Sequence, residues 1–337
     1  MFMLFQLESD EDIEKVLMQY KQAALNAIQN YDVNWELIRF NQLSDTCTFV
    51  LETSKNESFL LRIHSEMSNE EINSELLLLE ALHEKIDFVI PKAILNRYGS
   101  RTIEIQLENG FRCNASLMSW VEGEHSKGGL TDDQIYREGV LLAKLHQASQ
   151  DFELTTNFKR PTWGEHSFRQ AITRLTRYYN RFLSETEYNL YVSAAEQISS
   201  WIVMLHKDRN SHGLIHGDLH QGNIVFHNGE PRPIDFGRCG FGYFLYDIAH
   251  TILGLYPAQR ELVIKGYESI RKLEGNWYTA LEGFAVMVMI ENYCHHAPDP
   301  RETAGLKAEQ PYALAIINNY LNGEPFLFNS IEVKNDK

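Results

Sequence analysis

Residues 214–237 read LIHGDLHQGNIVFHNGEPRPIDFG, and the pattern of this stretch decides the fold. Its middle, NIVFHNGEPRPIDF, is two β-type runs around Asn228-Gly229, a dipeptide suited to a two-residue turn with positive φ at both positions. A hairpin sets the residues before its first strand beside those after its second. Asp218 and Asn223 at one end therefore face Asp235 at the same end, and three metal-capable or proton-accepting side chains converge. The plainer reading, that Asp218 and Asn223 only cap a turn among glycines, does not explain why three independent spacings agree. His212, His216 and His220 offer a rival, since four-residue steps align imidazoles on one helix face as metal ligands. Gly213, Gly217 and Gly222 oppose such a helix, at about 1 kcal/mol each relative to alanine. His216 reads instead as a loop-bracing residue.

D-x-x-x-x-N, a hairpin and then D-F-G is the spacing of kinase catalytic loops. Phosphoryl transfer asks little covalent chemistry of a protein; it needs an attacking hydroxyl held in line and the triphosphate charge neutralised. Magnesium takes hard oxygen ligands, often one or two protein groups with phosphate oxygens and water. Asn223 and Asp235 are the expected Mg2+ ligands, and Asp218 the expected catalytic base.

The composition fits an enzyme with a large core. Of 337 residues, 44% are hydrophobic and 23% charged, which excludes disorder and fibre. A net charge of −15 disfavours nucleic acid as a partner. Cys47, Cys113, Cys239 and Cys294 form no C-x-x-C pair, so neither a disulfide framework nor a cysteine zinc site is expected, and a reducing cytoplasm fits best. The start, MFMLFQLESDEDIE, lacks the basic and long apolar regions of a signal peptide. The longest apolar run, FAVMVMI at 284–290, falls well short of the roughly 18 residues of a membrane span.

Outward from the hairpin, residues 9–30 place Ile13, Leu17, Tyr20, Ala24 and Ile28 at helical spacing. WELIRF (35–40), TCTFVLET (46–53) and SFLLRIH (58–64) then read as an antiparallel meander separated by NQLSD and SKNE. Ser68 with Glu71 is a capping box opening a helix whose apolar side is Ile72, Leu76, Leu79 and Leu82 or His83. Strands around AILNRYG, TIEIQL and RCNASLMSWV complete an N-terminal nucleotide-binding part, 1–121. VEGEHSKGG reads as a link. The remainder, 122–337, is mostly helical and carries the hairpin and the acceptor site; Thr131 with Gln134 caps a helix to about Ser149, and helical patterns cover 167–184, 186–209 and about 245–322. The fold class is α+β, with two lobes.

Within the first lobe, Arg62 lies in the otherwise apolar LLRIH, and Glu75 lies on the buried side of its helix. A lone buried carboxylate is costly, so the two are expected to pair, either as structure alone or with Arg62 reaching phosphate oxygens through its remaining donors. Neither G-x-x-x-x-G-K-[ST] nor a strand-linked G-x-G-x-x-G is present. Phosphates would then be covered by backbone amides of 41–47 with the hydroxyls of Ser44 and Thr46. Met118, Ser119 and Val121, at the lobe junction, are placed against an adenine edge.

Through HGDLHQGN (216–223), IDFG (234–237) and GFGYFLYDIA (240–249), the chain resembles the aminoglycoside phosphotransferase and choline kinase-like superfamily. The resemblance runs from FLLRIH and SELLLLEAL through GVLLAKLH to YDIA and implies a protein-kinase-like fold with ATP between two lobes. It implies the same roles for Asp218, Asn223, Asp235, Arg62 and Glu75, and a structural role for Asp247. Two features depart from it: Arg62 stands where many members have Lys, and the phosphate loop around Asp45 is atypical.

Only Gly237–Phe244 separates DFG from YDIA, with no A-P-E segment, so there is little room for a peptide platform. The expected activity is an ATP- and Mg2+-dependent kinase acting on a small hydroxylated acceptor, aminoglycoside-, choline- or homoserine-kinase-like. A stress-response-type protein Ser/Thr kinase and a non-catalytic nucleotide-binding scaffold are the alternatives. Trp163, Phe168, Tyr178, Tyr179, Trp201, Trp277 and Tyr293 read mainly as core around the acceptor site. Glu291, Asn292, His295 and His296 form a polar cluster where acceptor groups are expected, with a solvated helix face as the plainer reading. The acidic excess is larger before residue 122 than after it, so a cationic antibiotic does not follow from charge. Nothing in the sequence sets the oligomeric state.

Overall fold

A computed structural model describes residues 10–126 and 129–331. The apolar start of the chain, Lys127 and Gly128 of the link, and residues 332–337 lie outside the described residues. Two compact units are present: 1–122 with 152–160, and 123–151 with 161–337.

The first unit is a helix on a sheet. α1 (Asp10–Ile28) packs Tyr20, Ala24 and Ile28 against Phe49, Leu61, Ile63 and Leu117 of an antiparallel sheet. The sheet order is β1 (Trp35–Leu43), β2 (Cys47–Thr53), β3 (Ser58–His64), β6 (Arg112–Ser119) and β4 (Ala93–Ile94), with β5 (Thr102–Gln106) also paired to β6. The meander has the expected order, with one difference. β1 continues through Asn41 to Leu43, past a register shift between Phe40 and Gln42, and the loop contracts to residues 44–46. The Asn41 amide on the Thr48 hydroxyl, 3.1 Å, holds the extension. Most of AILNRYG is turn rather than strand, because the Asn96 side chain accepts from the amides of Tyr98 and Ser100, each at 3.0 Å. α2 (Asn69–His83) has the Ser68–Glu71 capping box and buries Ile72, Leu76, Leu79 and Leu82; His83 is only half-buried. Residues 152–160 return to this unit, where the Lys159 amide donates to Ser74 Oγ at 2.8 Å and Arg160 to the Glu71 carbonyl at 3.1 Å.

The second unit is mostly helical. α3 (Asp132–Ser149) starts at the Thr131–Gln134 box, and α4 (Glu165–Tyr178) is followed by a 3-10 turn to Arg181. α5 (Glu185–Ile202) starts at a capping box, Ser184 with Glu187, and ends seven residues before its helical pattern does. β7 (His212–Ile215) precedes the hairpin of β8 (Ile224–His227) and β9 (Glu230–Pro233), whose turn has φ 53° at Asn228 and 81° at Gly229. An unexpected β10 (Gly240–Tyr243) pairs antiparallel with β7. α6 (Phe244–Ile252), α7 (Pro257–Glu268), α8 (Trp277–His296) and α9 (Thr303–Asn322) complete the unit.

α3 and α7 cross backbone to backbone. A Cβ on Gly139 would lie 2.0 Å from the Val263 carbonyl oxygen, and one on Gly266 2.0 Å from that of Tyr136. This approach holds α3, with Glu138 and His146, under the hairpin region. FAVMVMI is the centre of α8, apolar all round because it is buried all round. No helix among the described residues is long and apolar enough to cross a membrane.

Candidate active site

The segment from β7 to β8 is fixed from below by one carboxylate. Asp247, wholly buried on α6, accepts the amides of His216 at 2.9 Å and Gly217 at 2.8 Å, and His146 Nε2 lies 3.0 Å away. Tyr267 Oη lies 2.9 Å from His146 Nδ1. Burial pushes the Asp247 carboxyl up, but His146 and the His216 amide together hold it below the usual carboxylate range. Burial keeps His146 below its ordinary value against the pull of Asp247. Gly217 turns the chain at φ 78°, and a Cβ there would lie 2.5 Å from the Arg238 carbonyl oxygen. His216 braces the loop as expected, its Nε2 3.0 Å from the Ile234 carbonyl. His212 lies on a strand, His216 in a loop and His220 at a 3-10 turn, so the three imidazoles share no helix face. Among the described residues no group of three or more His, Cys, Asp or Glu side chains is arranged to hold a metal ion.

Beyond Gly217 the chain closes on itself. The Asp218 carbonyl accepts the His220 amide and the Asn223 side-chain amide, both at 2.9 Å, and the Asn223 carbonyl accepts the Ile234 amide at 2.9 Å. Asn223 Nδ2 is thereby committed, which leaves Oδ1 as the end able to meet a cation. Asp235 comes after β9 at φ 58°, ψ 69°, a left-handed conformation that is costly for a side-chain-bearing residue and collects at functional sites. Its carboxylate is exposed, with Oδ1 3.3 Å from the Gly237 amide. Asp218, Asn223 and Asp235 thus come to one end of the hairpin. Burial raises the Asp218 carboxyl, and Asp235 adds to this; Arg238, His220 and His216 oppose it.

Beside Asp218 the structure adds two side chains the sequence did not single out, Arg238 and His250. Arg238 Nη1 is 3.9 Å and His250 Nδ1 3.6 Å from Asp218 Oδ1. The Arg238 guanidinium lies 4.7 Å over the Trp163 ring, and the Trp163 indole N–H donates to the Arg238 carbonyl at 2.9 Å. Trp163 stacks in turn on Tyr246, whose hydroxyl donates to Glu291 at 2.7 Å. Glu291 is buried rather than on a solvated face, whereas Asn292 is exposed. Burial pushes the Glu291 carboxyl up to about 7 against its bonds to Tyr246 and Ser167 and the field of Arg238. Of the aromatic residues read as core, Phe168 and Tyr293 are buried, and Trp163, Tyr178, Tyr179, Trp201 and Trp277 are half-buried. Gln221 donates to Glu138 at 2.8 Å, tying the turn before Asn223 to α3. The cation just after DFG was visible as a letter, but its direction depends on the turn at 236–238 and on Trp163, far away in sequence.

In the first unit Arg62 and Glu75 form a buried ion pair as expected, with Arg62 Nη1 also 3.5 Å from Met118 Sδ. Ser44 and Thr46 sit in the β1–β2 loop, closed by the Ser44 amide on the Thr46 carbonyl at 3.0 Å, with Thr46 buried. Ser119 is joined to Lys92 through backbone and hydroxyl, and the Trp120 amide donates to the Ser58 carbonyl. Those two amides are therefore committed within the sheet. Val121 is buried.

Residues 36–280 match the model of the phosphotransferase enzyme family. The chain belongs to that family and is a kinase, a phosphotransferase with an alcohol group as acceptor. It is similar to amicoumacin kinase of Bacillus subtilis (strain 168), 23% identical over 298 residues that cover 82% of this chain and 84% of that one. A solved microcompartment-associated aminopropanol kinase shares its fold with a TM-score of 0.76 at 22% identity, over 91% of this chain and 98% of that one. Amicoumacin kinase hAmiN, solved with AMP-PNP, Ca2+ and Ami, gives a TM-score of 0.75 at 18% identity, over 94% and 97%. The fold is the bilobal, protein-kinase-like α+β fold.

Proposed function

We propose that the chain transfers the γ-phosphoryl group of ATP, with Mg2+, to the hydroxyl of a small-molecule acceptor. The observation that carries this reading is the convergence of Asp218, Asn223 and Asp235 at one end of the hairpin, each held by backbone contacts of its own. Asp218 is the base: it takes the acceptor's hydroxyl proton as the new oxygen–phosphorus bond forms and the bond to the β-phosphate oxygen breaks, releasing ADP. Its raised carboxyl suits that step, since a stronger base accepts a proton more readily near neutrality.

Asn223 Oδ1 and the exposed Asp235 carboxylate would hold Mg2+. They fit it as oxygen donors too few to form a cage alone, the usual case where phosphates supply the rest. When bound, the ion neutralises phosphate charge. In the first unit, Arg62, oriented by Glu75, is assigned to the phosphates, Ser44 and Thr46 to their cover, and Met118, Ser119 and Val121 to the adenine side. The relative solved with AMP-PNP and Ca2+ supports a nucleotide with a divalent ion.

A small acceptor is favoured over a protein because the segment after DFG is used up by the turn at 236–238, β10 and the start of α6. ADP release should be measured with Mg·ATP against amino alcohols, hydroxy amino acids, sugars, aminoglycosides and a generic protein substrate. Release that depends on one small acceptor and on Mg2+ is expected. Phosphate incorporated only into protein would overturn the reading.

A further inference from the structure

We infer that Glu138 is a positioning residue for phosphoryl transfer, acting through Gln221 to hold Asn223 where it meets the metal ion. The inference rests on the metal role given to Asn223 above. The segment from His216 to Asn223 is tied to the helices beneath it at three points. Asp247 of α6 takes the amides of His216 and Gly217, and the Thr251 hydroxyl, one turn later, donates to the Leu219 carbonyl at 2.8 Å. The third tie is the Gln221 side chain, whose Nε2 donates to Glu138 Oε2 at 2.8 Å and lies 3.4 Å from the Thr251 carbonyl. Both partners are acceptors, which fixes the NH2 end of the amide toward them. Gly222 follows, so close to the His220 ring that a Cβ would lie 2.7 Å from its Cε1, with its amide donating to His220 Nδ1 at 3.0 Å. Having no side chain to anchor it, this glycine leaves the peptide to Asn223 free to rotate unless the turn is held on both sides. Asn223 Nδ2 on the Asp218 carbonyl is one hold, and Gln221 on Glu138 is the other.

The state of Glu138 is costly for a residue that only packs. It is wholly buried, and its second oxygen, Oε1, has no hydrogen-bond partner among the described residues. An apolar side chain of similar size would fill the same space without stranding a polar atom. What such a side chain lacks is an acceptor for Gln221. Burial raises the Glu138 carboxyl to about 7, and a proton on Oε1 leaves Oε2 free to accept, so the tie holds in both states. Asp247 and Thr251 hold backbone groups, which a turn of any sequence offers; Glu138 holds one particular side chain two residues before Asn223. The same helix also reaches the hairpin's second strand, where Arg137 pairs with Glu230 of β9. α3 thereby supports both the turn that presents Asn223 and the strand that leads to Asp235, as outer partners of metal ligands do.

The test compares wild type with Gln221→Ala, Glu138→Leu, the two combined, and Glu138→Gln, which keeps an acceptor oxygen for Gln221. Gln221 is half-buried, so its alanine variant reports even if Glu138→Leu fails to fold. Two quantities are read on the full chain. Hydrogen exchange at the Asn223 and Ile234 amides, set against amides of α5, reports how firmly the turn is held. Calorimetric binding of ATP with Mg2+ and with a chelator gives the gain in affinity that the ion brings, with no acceptor present. Gln221→Ala and Glu138→Leu should each exchange about fivefold faster at the two amides, the loss of one hydrogen bond, and not in α5. Each should lower the Mg2+ gain about tenfold while leaving chelator-treated ATP binding as in wild type. The combined variant should be no worse than either alone, and Glu138→Gln should match wild type in both readouts. Unchanged exchange in Gln221→Ala, losses that multiply in the combined variant, or a Glu138→Gln as impaired as Glu138→Leu overturns the inference. The expected exchange pattern in a wild type to which Mg2+ brings no gain in ATP affinity sinks the Mg2+ reading and leaves the hold of Glu138 on Asn223 standing.

Discussion

Replacing Asp247 with Asn keeps the size of the side chain and removes one acceptor oxygen. In the native protein Oδ2 accepts the His216 amide at 2.9 Å with His146 Nε2 at 3.0 Å, and Oδ1 accepts the Gly217 amide at 2.8 Å. An asparagine can offer its oxygen to one of these sides only, so at least one buried backbone N–H meets an NH2 group. A tautomer change at His146 relieves its own contact but not the His216 amide at the same atom. Losing a charge-assisted bond costs about 1.5–3 kcal/mol, and stranding a buried donor about 1–3 kcal/mol more. Together these give roughly 2.5–6 kcal/mol. For a unit of roughly 200 residues, at about 2–4 °C per kcal/mol, the thermal midpoint should fall by about 5–24 °C. Circular dichroism melts of wild type and Asp247→Asn read this directly. A fall of less than about 3 °C, on the same scale, would refute the claim that this carboxylate holds the segment leading to Asp218.

Other contacts give three further outcomes. Arg62→Met leaves Glu75 buried without its ion-pair partner and should cost about 3–5 kcal/mol in urea titrations; Arg62→Met with Glu75→Leu should recover a large part of that loss. Gly266→Ala forces a methyl group toward the Tyr136 carbonyl oxygen, 2.0 Å from an ideal Cβ, and should lower stability by at least about 1–3 kcal/mol in the same assay. Glu138 is pushed up by burial to about 7 from an ordinary 4.5, so the folded state keeps its proton longer than the unfolded chain. Its contribution to stability is complete below about pH 4.5 and is lost as pH rises through about 7. The thermal midpoint of Glu138→Gln should accordingly gain on wild type between those pH values, and a constant difference would contradict it.

Local features of the fold were legible because their causes are local. The boxes at Ser68–Glu71 and Thr131–Gln134 each lie within four residues, and the Asn228-Gly229 turn needs only its own two positive φ angles. The box at Ser184–Glu187 was equally readable but fell between two helical patterns drawn through it. β10 was hidden because Gly240–Tyr243 is short and glycine-rich, and its partner β7 lies some 25 residues earlier. At the candidate site the same division holds. Asp218, Asn223, Asp235 and His216 sit at spacings that a hairpin brings together, and the Arg62–Glu75 pair was readable from two charges at apolar positions. Trp163 comes from a loop, Tyr246 and His250 from α6 and Glu291 from α8, so only tertiary packing gathers them around Asp218 and Arg238. Glu138 meets Gln221 across 83 residues, beyond any local pattern.

The central claim is that Asp218 accepts the acceptor's proton, and it is tested most directly by separating turnover from nucleotide binding in Asp218→Ala. Acceptor-dependent ADP release and equilibrium binding of Mg·ATP should be measured side by side for the variant and wild type. Turnover lower by about 10²–10⁴-fold, the usual contribution of a general base, with ATP affinity nearly unchanged, is the predicted result. Turnover retained within a few-fold would contradict the account.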